Sequence, residues 1–77
     1  MDTDLSLPAR VAAVVKNELE GAGWSVLRIE KVTGIPHSTL TRRYTGLVPF
    51  TLPELAVLAH LIGTRVSALV AKAEDAS

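Results

Sequence analysis

Apolar positions along the chain recur with a helical period in five short segments. Val11, Val14, Val15 and Leu19 follow one another at spacings of three and four within Pro8–Ala22, which puts them on one stripe of a helix. Pro8 suits the first turn, where its missing N–H has no helical partner in any case. Gly21 and Gly23 end the segment. Ser25 is placed to cap a second helix, Val26–Val32, whose inward side is expected to carry Ile29 and either Leu27 or Val32. Thr33-Gly34-Ile35-Pro36 stops it, since glycine accommodates a positive φ and proline cannot continue the ladder. A third helix is expected from His37 to Thr45, closed by Gly46.

Leu47-Val48-Pro49-Phe50 is an apolar loop, and Phe50 is expected to plug the core from outside any helix, as is Trp24. Thr51-Leu52-Pro53-Glu54 has the form of a capping box, in which threonine caps and glutamate returns a bond to the cap. The fourth helix then buries Leu55, Leu58, Ala59 and Ile62 and stops at Gly63. A fifth runs from Val66 to about Ala73, with Leu69 and Val70 available for packing. No alternation of period two is long enough for a sheet. The expected fold is all-α, a compact bundle of five helices.

Length and composition narrow the function. Seventy-seven residues allow one small domain, 1–77 with a core of about 8–73, and such a chain rarely encloses a deep active site. There is no cysteine, so neither a disulfide nor a thiolate zinc site can form. His37 and His60 are too far apart to suggest another metal site. No carboxylate pair, nucleophile with its base, or glycine-rich phosphate loop is present. An enzyme is therefore not expected, nor a cofactor, nor a small-molecule substrate. No apolar run approaches the ~20 residues of a membrane span, and Met1-Asp2-Thr3-Asp4 is the reverse of a secretory leader. A soluble cytoplasmic protein is expected.

Charge complicates the picture. Eight basic and eight acidic residues cancel, and the pI of about 6.7 is low for a nucleic-acid binder. Yet binding follows the local field at one face. Between Lys31 and Pro53 there is no acid, whereas Lys31, His37, Arg42 and Arg43 all fall there. Two short helices joined by a glycine-containing turn, the second polar and basic, describe a helix-turn-helix. In that arrangement the second helix enters the DNA major groove. His37, Ser38, Thr41, Arg42 and Thr45 share one face of it, and Leu40 and Tyr44 share the other. Arginine bonds guanine through two donors, and hydroxyls serve bases or phosphates.

The residues that carry this reading also carry a resemblance. "SVLRIEKVTGIPHSTL", Ser25 to Leu40, followed by Gly46, is similar to the Cro/CI type of phage repressor, the XRE helix-turn-helix family. That family's pattern runs hydroxyl–x–x–x–Leu–Ala–x–x–x–Gly–Ile/Val–x–x–Ser–Thr–Leu/Val. Downstream, "PFTLPELAVLAHLIGTRVSALV" resembles its fourth and fifth helices, so the likeness spans about Pro8 to Ala73. The resemblance implies a lambda-repressor-like domain and a sequence-specific transcriptional regulator of double-stranded DNA. His37, Ser38 and Arg42 would read bases in an operator, with Thr41 on the same face. Ser25, Thr39 and Thr45 would lie near the phosphate backbone, with Lys31 and Arg43 supplying charge there.

Three positions depart from the family. Val26 stands where a phosphate-bonding glutamine is common, Glu30 replaces a small alanine where the two helices cross, and Arg43 replaces a buried aliphatic residue. Arg43 is expected to reach out to a phosphate while Tyr44 takes over the packing. A homodimer is expected at least on DNA, joined through the fifth helix or the loop near Leu47–Phe50, or assembled by the DNA itself. A phage origin would place it in the bacterial host's cytoplasm. Two other binding roles fit the same composition: a protein-interaction module such as an antitoxin or adaptor, and a DNA excision or architectural factor.

Overall fold

The structure, a computed structural model, describes residues 6–75, which are all-helical with no strand among them. The acidic opening at Asp2 and Asp4 lies outside those residues. The order is α1 (Leu7–Gly21), α2 (Val26–Thr33), α3 (His37–Tyr44), α4 (Leu52–Ile62) and α5 (Val66–Asp75). No single helix among them is long and apolar enough to cross a membrane.

Local chemistry accounts for the helix ends. Ser6 caps α1 by accepting from the Ala9 N–H at 3.3 Å, and Ser25 caps α2 by accepting from the Arg28 N–H at 3.2 Å. The expected capping box is formed at α4: Thr51 accepts from the Glu54 N–H, and Glu54 Oε1 accepts from the Thr51 N–H at 2.8 Å. Gly34 ends α2 at φ +81°, a left-handed conformation that a residue with a Cβ rarely adopts. There its N–H reaches the Glu30 carbonyl at 2.8 Å. Thr33 completes the turn, donating to the Ile29 carbonyl at 2.7 Å and accepting from the Ile35 N–H at 3.1 Å.

Helix α1 is the central strut and packs on α3, α4 and α5, while α2 packs on α3. Its buried residues are Val11, Ala12, Val15 and Leu19, with Val14 at the margin. These meet Leu40 of α3, Leu55, Leu58 and Ala59 of α4, and Leu69 and Ala73 of α5 in one core, which Phe50 enters from its loop as expected. Ile62 and Val70 lie at its edge. Arg10 fixes α1 to the end of α5 by donating from Nε to the Ala73 carbonyl at 3.0 Å.

One expected packing face is corrected. Neither Leu27 nor Val32 turns inward, for they are 64% and 59% exposed. Ile29 alone is buried from α2, and Val26 and Ile35 flank it. Trp24 is half-buried rather than a core plug, and the Arg28 guanidinium lies 4.7 Å from its ring centroid.

Candidate nucleic-acid interface

Helix α3 is eight residues long with one fully buried side chain, Leu40. Successive residues turn by about 100°, so Ser38, Thr41, Arg42 and Thr45 fall away from Leu40 while His37, one turn before it, sits at the edge of that outer face; all five are exposed. Thr39 and Arg43 sit at one margin of the buried side and Tyr44 at the other, each half-buried. The outer face thus offers an imidazole, hydroxyls and a guanidinium with no acid on the helix itself. Arg42 and Lys31 have no side-chain partner among the described residues. Lys31 belongs to the outer face of α2, beside Leu27, Arg28 and Val32.

Arg43 does not do what its sequence suggests. It donates from Nε to Glu54 Oε1 at 2.9 Å and from Nη2 to Oε2 at 3.1 Å, and its side chain is only 14% exposed. A planar fork on a carboxylate is the strongest geometry open to arginine, so the guanidinium braces α3 to α4 and is not directed to a phosphate. The same carboxylate closes the α4 capping box, so Glu54 serves two elements at once. Hydrogen bonding from Arg43, helped by Thr51, holds Glu54 below the usual carboxylate range despite partial burial, and the pairing raises Arg43 in turn.

Thr45 is also corrected. Its hydroxyl donates to the Arg42 carbonyl at 2.7 Å and accepts from the Leu47 N–H at 3.3 Å, so it closes the end of α3 and its proton is not open to a phosphate. Ser25 uses only its oxygen for the α2 cap, which leaves the hydroxyl proton able to donate. Tyr44 packs edge-on against Phe50, ring centroids 6.3 Å apart, and its buried hydroxyl has no partner among the described residues. Burial, with a smaller contribution from the charge of Glu20, pushes that phenol up to about 12.

Glu30 lies against the start of α3: its Oε1 is 3.3 Å from His37 Nδ1. Sequence reasoning marked this acid as out of place but missed its partner, which stands seven residues away across the turn. No group of three or more histidine, aspartate or glutamate residues among those described could hold a metal ion.

On another part of the surface, Leu7, Val11, Pro49, Phe50, Leu55 and Val70 line an open apolar hollow of about 210 Å³. Leu47 and Leu52, 81% and 68% exposed, flank Pro49 and Phe50 in the chain. The fold and this face define an all-α five-helix domain with one polar, cation-bearing helix exposed. Comparison of the chain with protein-family models, with characterised proteins and with solved structures returns no match.

Proposed function

We propose that this protein is a sequence-specific double-stranded DNA-binding regulator, with α2 and α3 acting as a helix-turn-helix and α3 as its recognition helix. The observation that carries this reading is the outer face of α3. Four exposed side chains able to hydrogen-bond base edges, His37, Ser38, Thr41 and Arg42, occupy it, while Leu40 and the Arg43–Glu54 brace hold the helix rigidly from behind. A rigid element serves base readout, because direct contacts demand fixed geometry. Lys31, the proton of Ser25 and Thr39 at the margin of α3 are the groups left for phosphate. The Cro/CI-like pattern supports the same assignment and favours a repressor.

A homodimer on DNA belongs to this reading. Leu47, almost fully exposed, lies two residues from the rim of the apolar hollow. A two-fold interface needs a patch complementary to itself, and a protruding leucine beside an apolar recess meets that need. A cavity of ~150 Å³ already holds a benzene, so the recess has room for a leucine side chain. The same surface favours a second reading, a module that binds another protein, as an antitoxin or adaptor does.

Selection of duplexes from a random pool tests both. A recovered inverted repeat supports a dimeric regulator, and its affinity should fall steeply with salt as counterions are released. Recovery of no sequence at low salt would remove the DNA reading and leave the protein-binding one.

A further inference from the structure

We infer that Glu30 fixes the tautomer of His37, so that this position reads a base presenting an amino group in the major groove. The inference rests on the proposed placement of α3 at DNA. Glu30 comes from the last turn of α2 and His37 is the first residue of α3, so their contact spans the turn between the helices. The carboxylate oxygen and Nδ1 are 3.3 Å apart, with Glu30 39% and His37 60% exposed.

A carboxylate can only accept, so the bond requires the proton on Nδ1. A neutral imidazole has one ring proton. Held on Nδ1, it leaves Nε2 as a lone pair on the side of the ring away from Glu30. An acceptor there matches adenine N6 or cytosine N4, which donate in the major groove, and is repelled by guanine O6 and N7 or thymine O4. The orienting partner of one imidazole nitrogen thus decides what the other can bond. It also explains an acid beside the recognition helix. Its charge is engaged by the ring instead of facing phosphate.

Glu30→Gln separates this role from a merely structural one, because the side-chain amide can donate to Nδ1 as well as accept from it. Both chains carry His60→Gln, so that one imidazole remains. The measurements are made near pH 8.5, well above the ordinary imidazole value of about 6.5. Nitrogen-15 couplings to the ring carbon protons identify the protonated nitrogen in the free protein. Duplex selection then identifies the base preferred at the position that His37→Ala relaxes.

With Glu30 in place, the proton is expected on Nδ1 and an amino-bearing base should be selected. Replacing a selected adenine by purine, which lacks that amino group, should weaken binding about five- to tenfold. In Glu30→Gln the discrimination should fall by a similar factor or turn toward guanine or thymine. A proton found on Nε2 with Glu30 present overturns the inference without reference to DNA. So does an unchanged preference in Glu30→Gln or in His37→Ala. A proton on Nδ1 with no duplex selected removes the base-reading role together with the proposed function, while a duplex selected without the amino preference removes this inference alone.

Discussion

Arg42 and Arg43 adjoin in the chain, yet one guanidinium faces solvent and the other is held by two bonds to Glu54. On the proposed reading Arg42 alone of the pair can serve DNA. Arg42→Ala should lose about 1–3 kcal/mol on the selected sequence, the worth of a good bidentate guanine contact, and little on random duplex. Lys31→Ala should instead weaken all duplexes alike, since a phosphate contact carries no sequence information. Equal losses on selected and random DNA for Arg42→Ala would assign it to the backbone. Tyr44 gives a second test, independent of DNA. It is the only tyrosine in the chain, so tyrosinate absorbance reports it directly. Its folded value of about 12 lies above the ordinary phenol value of 10.0, so the fold favours the protonated form. The fold therefore loses stability as pH rises from 10.0 through about 12, the window in which the unfolded chain ionises and the folded phenol does not. Tyr44→Phe should flatten that alkaline loss. At neutral pH it should stabilise by about 1 kcal/mol, because it removes a buried hydroxyl with no partner. Tyrosinate titration near the free value would refute the burial argument.

At the level of elements, the position of α3 depends on a carboxylate that belongs to α4. Glu54→Gln should keep the cap, because glutamine also serves a capping box, while it removes the charge that holds Arg43. Glu54 lies below its ordinary value of 4.5 in the fold. Its contribution is therefore present above pH 4.5 and is lost as pH falls through the lower folded value. Thermal unfolding followed across acid pH should show a shallower loss for Glu54→Gln than for the parent chain. Thr51→Ala should cost about 1 kcal/mol through the cap and flatten the acid slope less than Glu54→Gln does, since Arg43 remains the main partner of Glu54. Identical slopes for parent and Glu54→Gln would mean that the brace contributes nothing. These elements also mark how far the sequence could be read. Caps at Ser25 and Thr51 and the stop at Gly34 were legible because each depends on neighbours three or four residues apart. The division of α3 into an outer polar face and an inner Leu40 was legible for the same reason. Arg43 was not, since its partner lies 11 residues away beyond a loop and already had a local role in the capping box. Leu27 and Val32 misled because a helix of two turns needs only Ile29 inward, and no periodicity shows which apolar residue will be left out.

For the whole molecule, zero net charge and the fate of individual cations set the mode of DNA binding. Arg43 is taken by Glu54, Arg10 bonds the end of α5, and Lys72 pairs with Glu18. Lys31 and Arg42 are left on the proposed interface, with Arg28 held over Trp24 nearby. The log–log salt slope per protomer should then reflect about two or three phosphates at roughly 0.9 each. Arg43, assigned to phosphate on the sequence alone, drops out of that count because Glu54 holds it. So weak an electrostatic grip cannot support tight binding by one copy. A second protomer doubles the contacts and reads a half-site ~34 Å along the duplex. Binding should therefore be tight only to paired half-sites, and the apolar patch around Leu47 and the hollow should be what joins the two copies. Leu47→Ser tests the patch without threatening the fold, because that side chain is 81% exposed. Labelled duplexes with one or two half-sites, titrated at two salt concentrations, provide the measurement. The parent chain should prefer the paired site strongly. Leu47→Ser should lose most of that preference while its affinity for a single half-site stays the same. If the parent binds one and two half-sites equally, a monomer suffices and the dimeric regulator is refuted. If Leu47→Ser keeps the full preference, the pair is joined elsewhere or by DNA alone, and the hollow has no part in it.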